Sequence, residues 1–161
     1  MLQGKARSRR RRVVLPEPTE ERVLRAARQV ATDGFAQCLL LGDTGAIKQK
    51  ARELGLSLDG LEIVDPATDP ARPAYLDRLI ELRKAKGISR ADAEKLLADP
   101  LYYGVMMVQQ GAADAEVAGA AHSTADVLRP ALQILKTEKG VSKVSGAFVM
   151  MWMIPAKALS P

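Results

Sequence analysis

The stretch VVLPEPTEERVLRAARQVATDGFAQCLLLG, residues 13–42, decides the fold class. Val13-Val14-Leu15 is a short β-branched run broken at Pro16 and Pro18, which reads as a strand entering a loop. TEERVLRAARQVATDG (19–34) then places Val23, Ala26, Ala27 and Val30 on one helical face, with Thr19 available as N-cap and Gly34 as terminator. Cys38-Leu39-Leu40-Leu41 is a second apolar run, ending at Gly42. Strand, helix and strand in this order make one crossover unit, and the continuous apolar character of both strands points to burial on two faces.

Working toward the carboxyl terminus, 46–54 has a helical pattern before Gly55, and 61–64 reads as a third strand stopping at Asp65-Pro66. The middle of the chain is helical in pattern: 75–86, then 89–98 with Ser89 and Asp92 in a capping arrangement, then an apolar helix opened by Pro100. A strand-like run over 114–117 leads through Gly119-Ala120-Ala121 to helical spacing over 124–136. Pro130 interrupts this last segment, so its helix is expected to start near Arg129 after a tight turn. SGAFVMMW (145–152) reads as a buried strand, and 153–161 carries no periodic pattern. The expected fold is α/β, a mainly parallel sheet with helices on both faces in three layers. The expected divisions are a basic flexible tail over 1–12, an α/β domain over 13–152 and an irregular tail over 153–161.

Length and composition agree with one such domain. The chain has 161 residues, 47% of them hydrophobic and 27% charged, ordinary for a globular protein. Of its net charge of +5, six positive charges lie in the first twelve residues (Lys5, Arg7 and Arg9–Arg12), so the remaining 149 carry a net −1. A basic leader on a near-neutral body differs from a cationic groove, and it lacks the interleaved aromatics of a single-strand binder. A nucleic-acid partner is therefore not expected. No apolar stretch is long enough to span a membrane, so a membrane partner is not expected either, and a cytoplasmic location is. The lone cysteine, Cys38, is expected in the core, and a single histidine, His122, makes a Cys/His metal site unlikely to form.

The stretch richest in chemistry is GAAHSTADVLRPALQILKT (119–137). Small residues in a strand-to-helix turn let backbone amides approach an anion, Ser123 and Thr124 add hydroxyl donors, and Arg129 offers a planar fork suited to phosphate oxygens. The alternative is that Ser123 and Thr124 are simple caps and that Arg129 pairs with Asp126 or Glu138. A second cationic cluster, ELRKAKG (81–87), suits a helix C-terminus as well as a ligand. His122 has no carboxylate orienter recognisable from its neighbours in sequence.

EIVDP (62–66), ELRKAKGIS (81–89), DPLYYGVMMVQQGAAD (99–114) and GAAHSTADVLRPALQILKT (119–137), in that order and separation, resemble the phosphate acetyltransferase family. VVLPEPTEERVLRAA (13–27) resembles that family's first strand and helix. Phosphate butyryltransferases and the acetyltransferase-like tails of certain malic enzymes share the fold with looser versions of these motifs. The resemblance implies reversible transfer of an acetyl group between coenzyme A and inorganic phosphate, with acetyl-CoA as substrate, no further cofactor and no metal. It implies two α/β domains with the active site in the cleft between them, in a homodimer or with a complementing chain. Arg83 and Arg129 match the family's cleft arginines and are expected to bind anionic groups of phosphate or coenzyme A, with Ser123 and Thr124 lining the same place.

The family continues for most of another domain, in which a serine, an arginine and an aspartate help activate the thiol and hold the substrates. No counterpart to them is recognisable in this sequence, so its catalytic residues are unassigned. The expectation is an incomplete two-domain acetyltransferase fold, inactive alone, or else a non-catalytic binding or regulatory module of the same fold.

Overall fold

The computed structural model describes residues 2–137 and 140–141. A short helix, α1 (Leu2–Ser8), leads into β1 (Arg11–Leu15), followed by α2 (Glu21–Asp33), β2 (Ala36–Leu41), α3 (Thr44–Glu53) and β3 (Glu62–Val64). Three helices come next, α4 (Arg72–Arg83) with a 3-10 turn over Lys84–Lys86, α5 (Arg90–Leu97) and α6 (Pro100–Gln109). The chain then forms β4 (Ala115–Glu116) and α7 (Thr124–Ile134). The strands lie in the order β3-β2-β1-β4 and every pairing is parallel.

Strand alternation sorts the core into two halves. Val14, Leu39 and Leu41 point to one face and pack with Leu79, Leu97, Tyr103, Met106 and Ile134. Leu15, Cys38 and Leu40 point to the other and pack with Leu24, Ala27, Ile47 and Ala51. Helices α2 and α3 thus cover one face and α4–α7 the other, giving the expected three layers around strands buried on both sides. Cys38 is buried as expected, and burial raises its thiol pKa. Tyr103 is fully buried in this core, edge-on to Tyr75 with ring centroids 5.3 Å apart, and its hydroxyl donates to Asp69 Oδ2 at 2.7 Å.

Helix ends follow local chemistry. Gly34 closes α2 in the left-handed conformation at φ 70°, and Ser89 caps α5 by accepting from the Asp92 N–H. Two expectations at helix starts are corrected. The α2 cap is Glu20, which accepts from the Arg22 N–H, rather than Thr19. Helix α7 starts at Thr124, capped by Ser123, and carries Pro130 inside it rather than near its first turn. Pro130 removes one backbone donor, yet the upstream cap and the burial of its ring against the core outweigh that loss.

The basic leader also differs from a free tail. Arg7 stacks 4.9 Å from the Phe35 ring and donates to the Asp33 carbonyl, while Arg11 and Arg12 are residues of β1. Arg11 pairs with Asp114 at 2.6 Å and Arg12 with Glu62 at 3.3 Å, so acidic residues beside the strand neutralise two of the cations that the sequence shows as a run. The expected strand over 145–152 and the tail over 153–161 lie outside the described residues.

Candidate functional site

The sheet places its switch point between β1 and β4. The chain leaves β1 toward β2 on one side, and β4 comes in on the other, so the loops after β1 and β4 face each other across the carboxyl edge. Open parallel sheets bind ligands at such a point. Here the loop after β1 supplies Glu17, between two buried prolines, and the loop after β4 supplies Gly119–His122.

Those loops are joined by one carboxylate. Glu17 is only 5% exposed. Its Oε2 accepts from the Gly119 and Ala120 N–H groups, each at 2.8 Å, and its Oε1 from the Ala121 N–H at 2.8 Å and the His122 N–H at 2.9 Å. His122 Nδ1 lies 2.7 Å from Oε1 as well. Burial alone would raise the Glu17 pKa, but the His122 ring and the loop amides favour the anion more strongly and hold it at about 2. Arg22 of α2 secures the loop from outside, donating to the Ala120 carbonyl at 2.8 Å.

The amides that the sequence offered to a bound anion are therefore filled by the protein's own carboxylate. His122 does have a carboxylate orienter, one that lies far from it along the chain. The only hint of it in the sequence is a single acid flanked by two prolines directly after a buried strand. Recognising Glu17 requires knowing that β1 and β4 are neighbours.

Ser123 is committed locally: its hydroxyl donates to Asp126 Oδ2 at 2.6 Å and accepts from the Asp126 N–H at 3.3 Å. Thr124 is the exposed first residue of α7. Arg129 is exposed and lies 4.0 Å from Asp126 Oδ1, a contact too long and too solvated to hold it firmly.

Arg83 and Arg129, read from separate motifs, both act on Tyr102 through their charge. Arg83 ends α4 and Arg129 is on α7, and Tyr102 of α6 donates from its hydroxyl to Gln133 Oε1 of α7 at 2.8 Å. Burial raises the Tyr102 pKa, and the charges of Arg83 and Arg129 act against that rise. Arg83 Nε is buried without a hydrogen-bond partner. Beside it, Lys86 and Lys136 join Leu82, Leu132 and Gln133 around a cavity of about 400 Å³. The cavity offers one guanidinium and two lysines on a partly apolar floor, a donor set suited to a phosphate ester or an inorganic phosphate, and Arg129 is not among its lining residues.

Glu116 of β4 was not singled out by its sequence context. It faces α6 at the register of Val14, and both its carboxyl oxygens are buried with no partner. A Cβ added at Gly104 would lie 3.1 Å from Glu116 Cδ, so the glycine makes the space that the carboxyl occupies. Burial, then the nearby negative charges of Asp99 and Glu17, push the Glu116 pKa up to about 8. Val117, which follows β4, lines an apolar groove of about 610 Å³ with Val13, Val23 and Val30, and is 59% exposed. Among the described residues, no cluster of three or more His, Cys, Asp or Glu could hold a metal ion, and no helix is long and apolar enough to cross a membrane.

Comparison with known proteins places this geometry. The family model described as phosphate acetyl/butaryl transferase matches residues 1–158. A phosphate acetyltransferase of Helicobacter pylori is 45% identical over 149 residues, covering 92% of this chain and 29% of the relative. One of Acetivibrio thermocellus is 46% identical over 147 residues, covering 91% of this chain and 44% of the relative. Among solved structures, the EutD phosphotransacetylase from Staphylococcus aureus superposes with a TM-score of 0.82 at 39% identity, over 88% of this chain and 43% of that one. A phosphotransacetylase from Streptococcus pyogenes gives 0.80 at 37% identity, over 88% and 44%. The chain thus spans less than half the length of these relatives. With its parallel sheet order and a family match running over nearly its whole length, the chain belongs to the phosphate acetyl/butaryl transferase family.

Proposed function

We propose that this chain serves the reversible transfer of an acetyl group between coenzyme A and inorganic phosphate, with Arg83 and Arg129 as its anion-binding groups. The observation that carries the reading is the cavity where Arg83, with its Nε buried and unpartnered, meets Lys86 and Lys136, while Arg129 on α7 adds its charge to that of Arg83 at Tyr102. For phosphate oxygen to attack a thioester carbonyl, two anions must approach each other with their charge neutralised and their hydration shed. Guanidinium forks on a rigid helical layer supply that neutralisation and fix orientation. Phosphate is itself the nucleophile, so the transfer requires neither a metal nor a further cofactor. Acetyl-CoA and phosphate are the proposed partners, together with a second copy of the chain or a complementing chain, in the cytoplasm.

A second reading, a module that binds coenzyme A or phosphate without turnover, is favoured by one feature. The loop amides of 119–122 and the Ser123 hydroxyl, donors that could stabilise a developing oxyanion, are committed to Glu17 and Asp126. Thiol release from acetyl-CoA at saturating phosphate, measured on the purified chain and on Arg129→Ala, separates the readings. Phosphate-dependent release that is lost in the variant supports transfer. Binding of coenzyme A without release supports the module, and release indifferent to Arg129 overturns its assigned role.

A further inference from the structure

We infer that Glu17 is a positioning residue that holds His122 as the Nδ1–H tautomer, so that Nε2 is presented outward at the switch point as a hydrogen-bond acceptor for a protonated phosphate oxygen. The identity of that donor rests on the proposed function, whereas the tautomer follows from the geometry alone.

Glu17 receives four consecutive backbone N–H groups, and the fifth contact to it, at 2.7 Å, is the imidazole Nδ1. A carboxylate held ionised by so many donors is acceptor-only, so Nδ1 must carry the proton for this contact to be a hydrogen bond. In the neutral ring, Nε2 is then left with its lone pair. This reverses the preference of free histidine, whose neutral ring favours the proton on Nε2.

The same carboxylate fixes the loop that carries the ring. With both its oxygens engaged by the backbone of 119–122, Glu17 locks the position of His122 Cα as well as the ring orientation. The rest of the imidazole is open, with 39% of the side chain accessible. His122 directly precedes the cap of α7, and Asp126 in the first turn of that helix lies 4.0 Å from Arg129 Nη2, so the ring and the Arg129 fork border one end of the helix. A phosphate that lays its anionic oxygens on a guanidinium and directs a P–OH toward the imidazole would satisfy both groups. Helix capping alone needs none of this, because Ser123 already serves as the cap of α7.

Because His122 is the only histidine, the full chain labelled with 15N gives one pair of imidazole nitrogen resonances. Long-range 1H–15N correlation, at a pH high enough for the ring to be neutral, reads the tautomer directly. The expected result is a protonated Nδ1 and a bare Nε2. A ring protonated on Nε2 overturns the inference in the unaltered protein, whatever happens to a variant. In Glu17→Gln, one amide oxygen cannot serve the loop amides and the ring together, so the Nε2–H form should rise several-fold. An unchanged tautomer ratio in folded Glu17→Gln would also overturn the positioning role. Adding inorganic phosphate should shift Nε2 and leave Nδ1 nearly fixed. Should the tautomer be as stated while phosphate moves neither nitrogen, the positioning role stands and the phosphate donor is overturned.

Discussion

Glu116 should set the alkaline limit of stability, and Glu116→Gln should remove it. In the folded chain its carboxyl oxygens have lost water and gained no partner, and its pKa rises from 4.5 to about 8. The folded state therefore holds a proton that the unfolded state releases, and stability falls as pH rises through that window. At about 1.36 kcal/mol for each pH unit, the full effect has a ceiling of roughly 5 kcal/mol. Relaxation of the fold around the ionised carboxylate, with water entering beside it, brings the expected loss to on the order of 3 kcal/mol. Gln keeps the shape and cannot ionise, so the variant should match the parent near pH 5 and exceed it by about 3 kcal/mol near pH 8.5. For a chain of this size that is roughly 6–12 °C in Tm. Urea unfolding at a series of pH values, with the m-value monitored, measures it. Parallel pH profiles for parent and variant would refute the reasoning, since they would mean that Glu116 is ionised in the fold at no cost.

Three further outcomes follow from particular contacts. Gly104→Ala puts a Cβ 3.1 Å from both Glu116 Cδ and Val14 Cγ1, and should cost about 1–3 kcal/mol in urea unfolding, less when Glu116 is replaced by alanine. Ser123→Ala removes the cap of α7 and should cost about 1 kcal/mol, with a matching rise in amide exchange over the first turn of that helix. Glu17→Gln should lose more than about 2 kcal/mol at neutral pH, because donors aimed at a carboxylate are left under-satisfied. In the parent, this contribution is fully present above the ordinary glutamate range and fades as pH falls toward about 2, so the variant's acid limb should be shallower.

Much of the fold was legible because its signals are local. The apolar runs at β1 and β2, the glycine closing α2 and the serine capping α5 each announce themselves within a few residues. The misread ends are places where distant contacts decide. Arg11 and Arg12 belong to β1 because Asp114 and Glu62 neutralise them, and neither acid is near them in sequence. Pro130 suggested a helix start, but Ser123 had already begun the helix and the ring is buried against neighbouring elements. On α7 the apolar residues divide: Ile134 joins the core, while Leu128 and Leu132, like Leu135 just after the helix, remain 42%, 47% and 44% exposed, a difference that helical period alone does not reveal.

The site divides in the same way. Ser123 and the small-residue turn could be read from spacing, yet their occupant, Glu17, comes from a loop that only the β1–β4 adjacency brings close. Arg129 was suggested by the turn that precedes it and Arg83 only by family resemblance, since its cluster alone suits a helix C-terminus. Tyr102 sits in an apolar run that reads as core, and it is core, although its hydroxyl bonds to Gln133 of the cationic cavity. Glu116 escaped notice because a short strand with one acid reads like any half-exposed strand until the partners of that acid are examined.

The central claim is that Arg83 and Arg129 form one anion site, and the most direct test is equilibrium binding of coenzyme A to the full chain, to Arg83→Gln and to Arg129→Gln. Loss of a charge-assisted contact worth about 1.5–3 kcal/mol predicts affinity weakened roughly 10- to 100-fold in each variant, with thermal unfolding unchanged. Coenzyme A affinity equal to the parent's in both variants would contradict the account.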